Sequence, residues 1–172
     1  MKKTLSIILS LSILLSILPL KMTMAVAAEY KGFTYTVADN EVTITGGDKS
    51  LTNISIPAEI DGLPVTAIGA RAFSNYQQIQ NVIIPDTVTS IGESCFDNCG
   101  KLKTVKLSGN ITKIPNYIFS QCSDLTEINI PENVTEIGNC AFESCYGLTN
   151  LKFPGNVTYI GDEAFLGCNH VK

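Results

Sequence analysis

The hydrophobic positions of this chain recur every 23 residues over most of its length. One column of the pattern holds isoleucine: Ile68, Ile91, Ile114, Ile137 and Ile160. Two more columns hold phenylalanine and cysteine: Phe73, Phe96, Phe119, Phe142 and Phe165, then Cys99, Cys122, Cys145 and Cys168. Columns that stay in phase over this many intervals predict a solenoid, in which similar coils stack along one axis.

One repeat, residues 125–147, shows how a coil is built. Ile128 and Ile130 alternate with polar neighbours, as in a half-buried strand, and the proline that follows ends this strand. A second β-prone stretch covers 134–137, and residues 140–145 form a turn or a short 3₁₀-like loop. Because 23 residues cannot hold a strand, a full helix and two loops, we predict a β-rich coil with little helix.

The repeats define most of the domain organisation. We place the coils at 51–78, 79–101, 102–124, 125–147 and 148–170, with the start of a further repeat at 171. The first coil is longer than the others, and its surplus at 58–64 contains Asp61 and Gly62, a tight-turn pair. The sequence stops as the sixth repeat begins. We therefore expect either a truncated protein or an uncapped C-terminal coil that is suited to end-to-end self-association.

Residues 29–50 precede the coils and are predicted to form an N-terminal β-hairpin cap. The runs 33–37 and 41–45 alternate between apolar and polar residues, and the turn-forming segment 38–40 separates them. We expect residues 46–48, Gly-Gly-Asp, to break the chain before the first coil. A cap is needed because the first coil of a solenoid would otherwise expose its apolar end.

The repeat pattern resembles a known family. The motif is Leu125-x-x-Ile128-x-Ile130-Pro131, then Val134-Thr135-x-Ile137-Gly138-x-x-Ala141-Phe142-x-x-Cys145. It resembles the bacterial leucine-rich repeat of the BspA-like, Treponema-type class, and the resemblance extends from Leu51 to Val171. The third coil departs from the pattern at Ser108, Pro115 and Ile118, which we expect the fold to tolerate. The resemblance implies bacterial adhesion or protein recognition through an open sheet face.

The first 28 residues are predicted to be a signal peptide. Lys2 and Lys3 precede an apolar run at 5–20, and small residues at 26–28 supply a cleavage site. The alternative is a membrane anchor, because residues 4–20 could nearly cross a bilayer. The serines in the run and the proline at its end favour the signal peptide. We expect a secreted or cell-surface protein with no membrane span after cleavage.

Cleavage after Ala28 leaves an acidic protein. The remaining chain has 9 basic and 16 acidic residues, a net charge of −7, and no basic cluster. This balance argues against nucleic acid and against anionic membrane surfaces as partners.

The six cysteines suggest disulfides or metal binding at first sight. Four of them share one column with Tyr76, which favours buried, reduced thiols. Disulfides between neighbouring coils stay open, because a spacing of about 5 Å lies within the range for a disulfide. Cys140 shares a variable column, so we expect it to be the most exposed thiol. With one histidine, His170, and a three-residue gap between Cys95 and Cys99, we expect no metal site.

Catalytic patterns are missing from the sequence. His170 lies too close to the end for a Ser/His/Asp or Cys/His arrangement, and the glycines that recur at the repeat period are turn residues, not a phosphate-binding loop. Glycosylation-like Asn-x-Thr patterns and a threonine column follow the same period, so we attribute them to the repeat. We predict no enzyme activity and no cofactor.

The variable positions of the first strand in each coil are the candidate binding residues. We name these eight residues the candidate face: Asn81, Ile83, Thr104, Lys106, Glu127, Asn129, Asn150 and Lys152. Solenoids present extended binding surfaces at such positions. We therefore predict a non-catalytic module that binds a protein, cell-surface or matrix ligand. The alternative is a structural spacer or accessory module of a longer surface protein.

Overall fold

The computed structural model describes residues 27–170, which form a β-solenoid of stacked coils. The predicted signal peptide lies outside these residues, except for its last two. Cap strands are β1 (Ala28–Tyr30), β2 (Phe33–Ala38) and β3 (Glu41–Gly47). Strands of the first sheet are β4 (Asn53–Ser55), β7 (Asn81–Ile83), β9 (Thr104–Lys106), β11 (Glu127–Asn129) and β13 (Asn150–Lys152). The remaining strands are β5 (Glu59–Ile60), β6 (Leu63–Ile68), β8 (Ser90–Ile91), β10 (Lys113–Ile114), β12 (Glu136–Ile137) and β14 (Tyr159–Ile160).

The cap is an antiparallel meander of β1, β2 and β3. Asp39 and Asn40 have φ angles of 51° and 63° between β2 and β3, as a type I′ hairpin turn requires. β3 also pairs in parallel with β6, so the cap continues the second sheet. The hairpin predicted from the sequence is present, and Phe33 and Tyr35 on β2 bury their rings in the core.

The expectation that residues 46–48 break the chain is wrong for the two glycines. Gly46 and Gly47 continue β3 opposite Thr34 and Phe33, and the strand ends at Gly47, just before Asp48. Glycine is needed because a Cβ on Gly47 would lie 2.7 Å from the carbonyl oxygen of Gly32. The glycines therefore allow close strand contact where the sequence suggested an interruption.

The first sheet consists of one short parallel strand from each coil, in the order β4, β7, β9, β11, β13. Each strand buries its central residue and directs its two flanking residues outward. These central residues are Ile54, Val82, Val105, Ile128 and Leu151. The alternation predicted for a half-buried strand is confirmed.

The return path of each coil uses turns, and residues 27–170 contain no helix. Each coil places a non-glycine residue in the left-handed region, for example Ser94, Tyr117 and Cys140 at φ 55°, 57° and 51°. Intercoil bonds hold this conformation: the N–H of Tyr117 donates to the carbonyl of Asn139 at 3.0 Å. The cost of about 1–2 kcal/mol for a left-handed residue is thus offset by bonds to the neighbouring coil.

The core is built from columns that run along the stack. The phenylalanine rings stack with centroid distances of 5.5 Å for Phe73–Phe96, 5.8 Å for Phe96–Phe119, 5.5 Å for Phe119–Phe142 and 5.3 Å for Phe142–Phe165. Four of these five side chains are fully buried. The fold expected from the repeat period together with the family resemblance, a β-rich leucine-rich-repeat solenoid with a hairpin cap, is confirmed.

The second sheet is interrupted between the second and third coils. β8 pairs with β6 and β10 pairs with β12, but β8 and β10 do not pair with each other. At the other intervals a glycine N–H donates to the isoleucine carbonyl one coil earlier: Gly69 to Ile44, Gly92 to Ile68, Gly138 to Ile114 and Gly161 to Ile137, at 2.7–2.8 Å. The third coil has Pro115 at this position, and proline has no N–H to donate.

The threonine column shows the same gap. The N–H of Thr135 donates to the carbonyl of Thr112 at 2.9 Å, whereas the described chain has no equivalent bond from Thr112 to Thr89. Ile91, at the interruption, is 8% exposed, compared with 0% for Ile114. A groove of about 310 Å³ opens here between the two strands. The departure at Pro115 is tolerated, as expected, but it costs one strand pairing.

Replacing Pro115 with glycine should close this interruption. The new N–H can donate to the carbonyl of Ile91, and one hydrogen bond of about 1 kcal/mol slows local exchange roughly fivefold. Hydrogen exchange measured by mass spectrometry over residues 112–115 tests this. Pro131→Gly, at a proline away from the gap, is the control and should leave exchange in this segment unchanged. Unchanged exchange in Pro115→Gly would contradict the proposed cause.

Candidate functional site

The candidate face lies where the sequence predicts it, on the outward side of the first sheet. Seven of its eight residues are exposed and Asn81 is half-buried. Parallel pairing aligns the strands, with Ile83 opposite Lys106 and Asn129 opposite Lys152. The flanking positions of neighbouring coils therefore form two continuous columns on one surface.

Polar side chains on the N-terminal part of this surface bond to one another. The amide of Asn81 donates to the Oδ1 of Asn53 at 2.7 Å, and the hydroxyl of Thr104 donates to the Oδ1 of Asn81 at 2.6 Å. Asn53 is not among the eight residues of the candidate face. It lies in the same sequence column as Asn81 and Thr104, and that column indicated its position. These bonds satisfy the hydrogen-bonding groups in this part of the surface without any ligand.

The charged residues of the candidate face are not paired with each other. Within residues 27–170 the one salt bridge joins Lys113 and Glu136 at 3.1 Å, and it lies on the second sheet. Lys106, Glu127 and Lys152 make no side-chain hydrogen bond or salt bridge with the described residues. Their charges therefore face solvent.

A shallow groove of about 360 Å³ crosses the middle of the face. Ile83, Lys106, Glu127 and Asn129 contribute to its walls. The pairing between β9 and β11 covers Thr104–Glu127 and Val105–Ile128, and it ends before Lys106 and Asn129. The groove thus lies where two neighbouring strands stop pairing.

The cysteine column is part of the core. Each thiol donates to the carbonyl of a phenylalanine in the preceding coil: Cys99 to Phe73, Cys122 to Phe96, Cys145 to Phe119 and Cys168 to Phe142, at 3.1–3.2 Å. All six cysteines are free thiols. Burial raises the pKa of Cys99 from 9.0 to about 12, so this thiol is not ionised at neutral pH and is a poor nucleophile or metal ligand.

The expectation that Cys140 is the most exposed thiol is wrong. Its side chain is only 7% exposed, because Tyr117 and Glu163 lie beside it in the same column. The Sγ of Cys140 is 3.8 Å from the Oε2 of Glu163. Cys168, in the last described coil, is more exposed than Cys140.

Other periodic residues that suggested chemistry also serve the stack. The Asn110, Asn133 and Asn156 amides donate to backbone carbonyls of the preceding coil at 2.7–2.9 Å. The Tyr76 hydroxyl, at the cap, donates to the Gly47 carbonyl at 2.6 Å and accepts from its N–H at 3.1 Å. Sequence reasoning placed Tyr76 in the cysteine column but missed its contact with the cap, which depends on long-range geometry.

Residues 27–170 contain no group of three or more His, Cys, Asp or Glu side chains placed to hold a metal ion, and no helix in them is long and apolar enough to cross a membrane. On the last described coil, Phe153, Tyr159, Ile160 and Leu166 are 46–53% exposed. Ile160 is 50% exposed although Ile137 in its column is fully buried, because no later coil is described that would cover it.

Comparison with known proteins gives a consistent result. A profile of the family described as "BspA type Leucine rich repeat region" matches residues 47–172 in six copies. No curated protein matches the chain.

Several solved structures are similar to the chain. A leucine-rich cell surface protein from Faecalibacterium prausnitzii is 29% identical with a TM-score of 0.79, and the alignment covers 85% of this chain and 38% of that one. A leucine-rich repeat protein from Bacteroides ovatus is 30% identical (TM-score 0.78, covering 84% and 40%). The leucine-rich repeat protein of Treponema pallidum is 30% identical (TM-score 0.78, covering 85% and 69%). The chain thus spans about two fifths of the length of the first two.

The buried thiols predict a loss of stability at alkaline pH. The pKa of Cys99 is raised in the folded state, so above the unfolded value of 9.0 the unfolded chain loses its thiol protons first. The free energy of unfolding should therefore fall between about pH 9 and 12, by about 1.4 kcal/mol per pH unit for each such thiol.

Urea denaturation across this pH range measures the effect. Cys99→Ala is the matched variant: it removes one buried thiol and leaves the lysines and tyrosines to titrate as before. The variant should be less stable at neutral pH but should show a shallower alkaline decline. Parallel pH profiles for the two proteins would show that the thiol does not contribute.

Proposed function

Since the chain belongs to the BspA-type leucine-rich repeat family, we propose that it is an exported, non-catalytic module that binds proteins through its candidate face. The family suggests a protein-binding repeat module, and its repeat and fold are typical of non-catalytic proteins. BspA-like proteins are typically surface or secreted proteins, and the relative from Faecalibacterium prausnitzii is described as a cell surface protein.

The single observation that supports binding at this face is its contrast with the rest of the stack. Cysteine, asparagine and threonine columns elsewhere repeat regularly and bond to the adjacent coil. On the candidate face Lys106, Glu127 and Lys152 break the repeat and have no partner within the described chain. Side chains that do not serve packing are available for a ligand.

Adhesion to a protein, cell-surface or matrix ligand is the finer form of this proposal. Adhesion would account for three features together: the predicted export, the acidic net charge and the open sheet face. The alternative, a structural spacer of a longer surface protein, would leave the face solvated. End-to-end self-association stays a prediction, and the exposed side chains around Ile160 are the surface that it would use.

Charge reversal tests the face directly. The triple variant Lys106→Glu, Glu127→Lys, Lys152→Glu should reduce binding to immobilised extracellular-matrix proteins or purified cell-wall material by tenfold or more, since each charge contributes on the order of 1 kcal/mol. Surface plasmon resonance measures this. The triple variant Lys31→Glu, Lys49→Glu, Glu59→Lys changes the net charge equally away from the face and is the control. Equal losses in both variants, or none in the first, would favour the spacer.

The N-terminal sequence of the expressed protein tests export separately. Expression in a bacterium should release a chain whose N-terminal sequence begins at Glu29. A membrane-bound product that still carries residues 1–28 would support the alternative, an uncleaved anchor. N-terminal sequencing of the protein in the cell-free medium and in the membrane fraction distinguishes the two results.

A further inference from the structure

We infer that the candidate face binds an extended acidic peptide segment of a partner protein, with an apolar side chain over Ile83 and carboxylates on Lys106 and Lys152. This inference rests on the proposed function and specifies its partner. Three observations carry it: the division of the face into satisfied and unsatisfied halves, the spacing of the lysines, and the groove where pairing ends.

Hydrogen bonding divides the face. In one column of the first sheet, Asn53, Asn81 and Thr104 form hydrogen bonds with one another at 2.6–2.7 Å. A ligand there would have to replace bonds that already exist. Lys106 and Lys152 have no such partners in the described chain. Because exchanging an existing bond for a new one yields little free energy, the lysine half is the favourable half for a ligand.

The two lysines are spaced for an extended chain. Lys106, Asn129 and Lys152 occupy one column in three successive coils, and adjacent strands lie about 4.8 Å apart. The lysine positions are therefore at least about 10 Å apart, because the pairing of β9 with β11 ends before Lys106 and Asn129. In a polyproline II segment residues i and i+3 face the same side and lie about 9.3 Å apart. Two acidic residues separated by two others therefore come within reach of the two flexible lysine side chains.

Charge and shape point to the same partner. The chain as a whole is acidic, so most of its surface repels an acidic peptide. The two unpaired lysines attract it. Complementary potentials of this kind set the orientation and specificity of binding. Ile83, one coil before Lys106, is 49% exposed beside the groove of about 360 Å³. An isoleucine in that place provides an apolar anchor next to the charged contacts.

Glu127 restricts the path of the peptide. It lies in the other column of the face, between the two lysine-bearing coils, and pairs in register with Thr104 and Asn150. A carboxylate of the ligand placed over that column would meet a like charge. The acidic side chains of the partner therefore follow the column of Lys106 and Lys152.

Synthetic peptides test the inference. The probe is a fluorescein-labelled proline-rich peptide with one leucine followed by two glutamates at i and i+3. Control peptides replace the glutamates with lysines, or place the same two glutamates next to each other. Fluorescence anisotropy should show that the probe binds about tenfold or more tightly than both controls, and that its affinity falls as salt is raised from about 50 to 200 mM.

Protein variants locate the contact. Lys106→Glu with Lys152→Glu should weaken probe binding by about tenfold or more, and Ile83→Ser by about fivefold. Asn53→Ala, outside the eight residues of the candidate face, should change it less than about twofold. Circular dichroism and thermal unfolding check that each variant keeps the fold.

The outcomes separate this inference from the proposed function. If the probe binds no better than its lysine-containing control while the charge-reversal triple variant still loses binding to a matrix or cell-wall protein, the inference is wrong and the proposed face stands. If neither the peptide nor any such protein depends on the face, both fail. Binding of the probe that survives Lys106→Glu with Lys152→Glu also overturns the inference.

Discussion

The structure depends on the register between coils. Parallel pairing places most residues of the coils beside their equivalents 23 positions away, so most columns of identical residues form contacts along the stack. The phenylalanines stack 5.3–5.8 Å apart, and four of them are the largest fully buried side chains. No coil has a core of its own, and each interior coil is stable because its neighbours cover both of its faces.

This constraint explains why chemically suggestive residues are structural. A thiol such as Cys122 bonds to the carbonyl of Phe96, and an amide such as Asn133 bonds to the carbonyl of Gly109. Both groups satisfy backbone atoms that short strands and tight turns leave without partners. Positions that the register does not use, such as those of the candidate face, are the ones left for the proposed binding function.

The third coil is the exception to the regular stack. Pro115 removes a donor to the second coil, and the hydroxyl of Ser108 compensates partly by donating to the carbonyl of Val88. Pairing with the fourth coil also ends early, before Lys106 and Asn129. The coil is held by the first sheet and by the turns, where the N–H of Phe96 donates to Ile118 at 3.0 Å. The groove on the candidate face lies beside it.

The repeat period, the strand alternation and the turn-forming residues 38–40 are enough to predict the solenoid, the outward columns and the hairpin. The role of Gly47, the cover over Cys140 and the break at Pro115 could not be predicted in this way. Each of these depends on which backbone atoms of another coil or strand lie within hydrogen-bonding or contact distance. A period places residues in a common column, but it does not say which of their bonds are already made.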